Sequence, residues 1–230
     1  MRYRLEEKCR AAEEYCAHIL KQSGAILNTE ETGEHYQLFP SGLHTGMYIQ
    51  LARIFEKGPA REQMAKLLLY KLKQADIDLQ EINVLLGPAL GAIPLICALQ
   101  TLAELEHTRA VYVERDRQFV LALSRGFSLN PQERILIVDD MAVSFSTIRE
   151  TIAAAHRACA SQGYEANIIG FAILIDRPLI DREHSELLWP TLKYACGLCI
   201  PLEAYNAAPP LLKKQCPYCQ RDIKLIQPKI

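Results

Sequence analysis

Three observations predict an α/β fold built on an open, mainly parallel sheet. Apolar runs of strand length recur along the chain, and amphipathic stretches at helical spacing stand between them. The runs INVLL, RILIVDD and NIIGFAILID are almost wholly apolar up to their ends, as strands covered on both faces are. The turn GPALGA sits between one such run and a helical stretch, which is the order of a βα unit.

Residues 4–23 carry apolar groups at helical spacing among many charges and read as a surface helix. The stretch from Gly24 to Gly46, rich in Gly, Thr, Ser and Glu, reads as a loop or short hairpin. Pro59 suits the first turn of a helix, whose stripe of Met64, Leu67, Leu68 and Leu72 should cover one face of the sheet. INVLL, GPALGA and IPLICALQTLAEL then give strand, turn and helix, AVYVERD a strand with a charged end, and RILIVDD and NIIGFAILID two further strands. Right-handed crossovers place ligands beyond the carboxyl ends of such strands, so Gly87 to Ala92, Asp139 to Thr147 and Asp176 with Arg177 should share one edge. Beyond Pro190 the pattern changes to short, proline-broken segments with two CxxC pairs, which read as a small tail.

Composition narrows the partners. A chain of 230 residues, half of them hydrophobic, buries one ordinary core with an appendage. Lysine plus arginine number 26 against 27 for aspartate plus glutamate, so nothing argues for nucleic acid or an anionic membrane, and a small-molecule partner fits better. No apolar run approaches the roughly 20 residues that cross a bilayer, and the start MRYRLEEKCRAAEEYC lacks a signal-peptide stretch, so a cytoplasmic protein is expected. In that setting eight cysteines read as buried reduced thiols or metal ligands.

The segment ILIVDDMAVSFSTIRE, residues 135–150, carries the chemistry. Asp139 and Asp140 at a strand end suit the vicinal hydroxyls of a ribose, or a nearby Mg2+; exposed turn residues are the alternative. Ser144, Ser146 and Thr147 stand where unpaired backbone N–H groups at a helix start favour a phosphate. Simple capping explains the same residues, since Thr147 and Glu150 have capping-box spacing, and the two readings are compatible. Cys196, Cys199, Cys216 and Cys219 form C-x2-C-x16-C-x2-C, a spacing that suits four thiolates on one structural Zn2+; two turns with reduced cysteines are the alternative. Cys9, Cys16, Cys97 and Cys159 fall in helical patterns and read as core residues.

Over residues 135–150 the chain resembles the signature of the type I phosphoribosyltransferases: apolar strand, two acidic residues, small-residue loop. Along most of its length it resembles the orotate phosphoribosyltransferase family, in the branch with a CPxC tail. YQLFPSGLHTGMYIQLARIF, GPALGAIPL, ERDRQFVLALSRGFSL and LIDRP carry that likeness. The resemblance implies residues 1–58 as an N-terminal helix and base-side hood segment, 59–190 as the phosphoribosyltransferase core and 191–230 as a Cys-rich tail. It implies transfer of a phosphoribosyl group from 5-phosphoribosyl 1-pyrophosphate to orotate, with Mg2+ and a homodimer.

The resemblance also assigns roles. Asp139, Asp140, Arg115 and Arg117 would serve the reaction, and Asp139, Asp140, Ser144, Phe145, Ser146 and Thr147 would hold the ribose phosphate. Gly87, Pro88, Ala89, Leu90, Gly91 and Arg125 would receive pyrophosphate, and Ser41, His44, Tyr48, Val143 and Arg177 would face the base. Arg177 is the implied contact for the orotate carboxylate, the alternative being an ion pair with Asp176 or Asp181. Val143 and Phe145 stand where the family's loop has a hydroxyl and a glycine, and FVLAL replaces a polar lid centre. A left-handed Phe145 would cost on the order of 1–2 kcal/mol and crowd the phosphate. Those departures support the second reading, a non-catalytic or substrate-shifted protein of the same fold that binds a nucleotide or sugar phosphate as a regulator.

Overall fold

The structure, a computed structural model, describes residues 2–38, 41–178, 191–205 and 216–228. The chain begins with helix α1 (Arg2–Gln22), then β1 (Ile26–Asn28), α2 (Thr29–Thr32), β2 (Glu34–Gln37), β3 (His44–Thr45), β4 (Met47–Ile49) and α3 (Ala52–Phe55). Helix α4 (Gly58–Gln74) carries Pro59 in its first turn, as expected. It leads to β5 (Val84–Pro88), α5 (Ala92–Gln100), β6 (Arg109–Arg115), β7 (Leu121–Leu123), β8 (Arg134–Ala142), α6 (Ser146–Ala160) and β9 (Asn167–Asp176). Strand β10 (Lys193–Cys199), α7 (Pro217–Gln220) and β11 (Lys224–Ile226) complete it.

The central sheet has the order β10-β9-β8-β5-β6-β7, parallel except for β7. Alternation along β8 decides which helix each side chain meets. Leu136 and Val138 join Leu67, Leu68, Leu72, Ile96 and Leu99 of α4 and α5, whereas Ile135 and Ile137 join Ile148, Ile152 and Ala155 of α6. Each such aliphatic side chain contributes about 1.5–3 kcal/mol when fully buried. The stripe read on α4 is buried at all four positions. No helix among the described residues is long and apolar enough to cross a membrane.

Two small sheets lie outside this frame: β1 pairs with β4, and β11-β2-β3 joins the C-terminal segment to the hood hairpin. Two sequence expectations change here. The division at residue 191 falls just before β10, which pairs with β9 from Lys193↔Gly170 to Cys199↔Asp176 and so belongs to the central sheet. KYACGLC has no β-branched residue, so its composition does not mark a strand. Among the helical cysteines, Cys9, Cys16 and Cys159 are buried as expected, but Cys97 is exposed on α5.

Candidate active site

Strand β8 delivers Asp139 and Asp140 to the carboxyl edge of the sheet. Asp139 is buried and Asp140 partly so, and the Asp140 backbone N–H donates to Asp139 Oδ1 at 2.9 Å. Burial first, and then the charge of Asp140, push the Asp139 carboxyl well above the usual range; burial raises Asp140 as well. A pair held this way gains from any donor or cation that reaches it. The turn after β5 presses against it, since a Cβ on Gly91 would stand 2.6–2.8 Å from the Asp140 carboxylate. Only glycine lets the backbone come that close.

In that turn the Ala89 N–H is spent on Val113 O at 2.8 Å, the Ala89–Leu90 peptide is cis, and Leu90 is exposed. Gly91 precedes α5 with no side-chain cap on the helix start. Gly87 and Pro88 close β5, so the segment assigned to pyrophosphate and the acid pair lie side by side.

The loop between β8 and α6 has the strain its sequence implied. Phe145 is left-handed, with φ 57° and ψ 13°, and forms the N-cap of α6 without a side-chain cap hydrogen bond. Its ring packs edge-on against Phe171 and Tyr194, with centroids 6.1 and 6.0 Å apart. The Phe145 side chain, expected to crowd a phosphate, is therefore held by aromatics of β9 and β10. The capping-box alternative does not form: Glu150 pairs with Arg115 at 2.8 Å, and Ser144 Oγ donates to Ser146 Oγ at 3.1 Å. Thr147 O accepts from Thr151 one turn on at 2.8 Å. Among the described residues no side chain caps the first turn's N–H groups, and such groups favour an anion.

Arg177 follows β9 and is 1 % exposed. Its Nη1 donates to Met47 O at 3.1 Å, while Nε and Nη2 have no hydrogen-bond partner among the described residues. Burial lowers its pKa to about 10. Asp176 accepts from Tyr194 Oη at 2.8 Å, and Asp181 lies outside the described residues. Val143 is adjacent, because Arg177 N–H donates to Ala142 O at 2.8 Å. From the hood, Tyr48 comes near enough that Asp140, after burial, raises its hydroxyl pKa. Ser41 instead sits in the β2–β3 turn, with Oγ donating to Leu38 O at 3.3 Å.

The three lid arginines lie on or beside a tight hairpin. Arg115 bonds Glu150 and Phe119 O, Arg125 forks onto Glu114 at 2.7 and 2.8 Å, and Arg117 is exposed at the tip. The expected four-cysteine cluster does not assemble. Cys196 and Cys199 belong to β10, whereas Cys216 and Cys219 meet His35 and His44, because β11 pairs with β2 and carries the tail to the hood. His44, expected on the base side, turns its Nδ1 to His35 and Cys219. Sequence reading missed His35 and the Met47 carbonyl. Spacing gave no signal for either, as Arg177 lies 130 residues from Met47 and Cys219 lies 184 from His35.

No protein-family profile matches the chain. Curated relatives do. An orotate phosphoribosyltransferase of Thermoanaerobacter sp. is 28% identical over 191 residues, 83% of this chain and 86% of the relative. One of Helicobacter acinonychis is 29% identical over 209 residues, 86% and 92% of the two chains. Among solved structures, orotate phosphoribosyltransferase from Aeropyrum pernix superposes with TM-score 0.57 at 23% identity, covering 80% of this chain and 93% of that one. A phosphoribosyltransferase from Corynebacterium diphtheriae gives TM-score 0.59 at 16% identity, over 82% and 96%. The parallel sheet, with acid pair, uncapped loop and glycine turn at one edge, is thus the type I phosphoribosyltransferase fold. Within that class, the chain is similar over most of its length to orotate phosphoribosyltransferases.

Proposed function

We propose that the chain transfers the phosphoribosyl group of 5-phosphoribosyl 1-pyrophosphate to orotate, giving orotidine 5'-monophosphate and pyrophosphate. The observation that carries this reading is Arg177, a buried guanidinium whose Nε and Nη2 are unspent among the described residues, on the edge that holds the acid pair. Orotate is a planar base bearing a carboxylate, and a guanidinium edge matches a carboxylate bidentately. The curated relatives named above support the same assignment.

In this reading the N–H groups at the start of α6, with Ser144, Ser146 and Thr147, hold the 5'-phosphate. Asp139 and Asp140 accept from the ribose hydroxyls and stabilise positive charge as the anomeric carbon loses pyrophosphate. The Gly87 to Gly91 turn receives the leaving group on backbone donors. Arg115 and Arg125 exchange their partly exposed carboxylate partners for it, and Arg117 reaches it from the hairpin tip. Tyr48 and Val143 flank the base. The chain's contribution is positioning and electrostatics, so no side-chain nucleophile is required. The adjacent carboxylates of Asp139 and Asp140, whose charged forms burial disfavours, fit a Mg2+ ion, which when bound with the substrate would neutralise charge building on pyrophosphate. A cytoplasmic homodimer belongs to the same reading.

The test is pyrophosphate release from the sugar pyrophosphate and Mg2+ across a panel of bases. Release with orotate alone is expected. Tight binding of the sugar pyrophosphate with no turnover would overturn transfer and identify a regulator on this fold, which Val143 and the apolar hairpin tip with Phe119 75% exposed would then explain.

A further inference from the structure

Four potential metal-ligating side chains, none of them part of the acid pair, meet where the hood and the C-terminal segment join. His35 lies on β2, His44 on β3, and Cys216 and Cys219 flank or lie in α7, with their ligand atoms all within 4.8 Å of one another. Three of the four are buried and the fourth is partly so. His35 Nε2 and His44 Nδ1 are 3.3 Å apart, and Cys219 Sγ is 3.2 Å from His44 Nδ1 and 3.4 Å from His35 Nε2. A neutral imidazole nitrogen either carries a proton or offers a lone pair, so these three contacts cannot all be good hydrogen bonds. A shared cation satisfies them at once. Bond lengths of about 2.0–2.1 Å to nitrogen and 2.3 Å to sulfur give tetrahedral edges of about 3.3 Å for N···N and about 3.5 Å for N···S. The observed triangle matches them within a few tenths of an ångström.

The segment these cysteines anchor has little else to hold it. From Cys216 to Pro228 only Cys216 is buried, and β11 leans on β2 through backbone pairing with Lys224–Glu34 and Gln227–Gln37 at its rim. Tyr218 stacks on His35, with centroids 5.6 Å apart, and covers Gly46, where a Cβ would collide with its ring. Neither cysteine is in a disulfide.

We propose that His35, His44, Cys216 and Cys219 bind one structural Zn2+ that staples the C-terminal segment to the hood. Two thiolates and two neutral imidazoles balance the charge of Zn2+ and leave no position open for a substrate. The staple also disciplines the candidate active site, because β3 continues through Gly46 into Met47, whose carbonyl receives Arg177, and into Tyr48. The zinc therefore fixes the base side from behind without touching the reacting atoms.

X-ray absorption at the zinc edge of the purified full-length protein, after zinc quantitation by mass spectrometry, tests this without any mutation. One zinc per chain, with a shell of two sulfurs at about 2.3 Å and two nitrogens at about 2.0–2.1 Å, is expected. A shell of four sulfurs, or no zinc retained after dialysis against zinc and then buffer, overturns it. As a second arm, Cys219→Ser and His35→Gln should each weaken zinc binding at least about tenfold. Cys196→Ser and Cys199→Ser should leave it within about twofold. Zinc lost with Cys196 or Cys199 instead would refute the assignment.

Discussion

Replacing Arg177 by methionine should make the empty protein more stable while destroying its recognition of an orotate-bearing ligand. Burial lowers the guanidinium pKa to about 10 from its ordinary, higher value, and at about 1.4 kcal/mol per pH unit the charged form costs the fold about 3 kcal/mol. For a base whose folded pKa is depressed, that cost is fully present below about pH 10 and fades as pH rises towards the unfolded value. Methionine removes it but leaves Met47 O without its donor, which costs about 1–2 kcal/mol, for a net gain of about 1–2 kcal/mol. In a chain of this size each kcal/mol moves Tm by about 2–4 °C, so the variant should melt roughly 2–8 °C higher. Two charge-assisted hydrogen bonds to a carboxylate are together worth about 3–6 kcal/mol, so orotidine 5'-monophosphate should bind about 10² to 10⁴ times more weakly. Uridine 5'-monophosphate lacks that carboxylate, and its affinity should stay within a few-fold. Calorimetric titration of both nucleotides beside a thermal melt reads all three quantities. A lower Tm with unchanged affinity for orotidine 5'-monophosphate would show that the guanidinium is satisfied elsewhere, and the reasoning would fail.

The remaining predictions concern the acid pair, the turn and the loop. The raised pKa of Asp139 means that its stability contribution is fully present below the ordinary carboxylate value and is lost as pH rises through the folded one. Asp139→Asn should therefore melt higher than the parent at neutral pH, lose that advantage below about pH 4, and bind the sugar pyrophosphate far more weakly; equal melting curves at both pH values would contradict the burial argument. Gly91→Ala places a Cβ against the Asp140 carboxylate, so phosphoribosyl transfer should fall on the order of 100-fold while the urea midpoint moves little, and unaltered kcat/KM would count against the close approach. Phe145→Gly relieves about 1–2 kcal/mol of left-handed strain but forfeits part of the about 1.5–3 kcal/mol that full burial of such a ring is worth, since the ring is half-buried, and the contacts with Phe171 and Tyr194. It should destabilise by about 1 kcal/mol in urea titration, and a stabilised variant would show that strain outweighs packing.

The sequence by itself determined the parallel sheet, the edge that carries the candidate site, and the acid pair near the end of β8. These depend on local signals: apolar runs, periodicity and turn chemistry within a dozen residues. The left-handed Phe145 was legible only through the family resemblance, whose loop has a glycine where this chain has Phe145. What tertiary structure decided were pairings across long stretches of chain. It set β10 into the sheet beside β9, aimed Arg177 at Met47 across 130 residues, and brought Cys219 to His35 across 184. It also resolved the Thr147 to Glu150 ambiguity by giving Glu150 to Arg115. A CxxC pair states only that two thiols can share an ion. Which residues complete the site depends on which strand the tail pairs with, and backbone pairing to β2 leaves no mark in the spacing of the side chains.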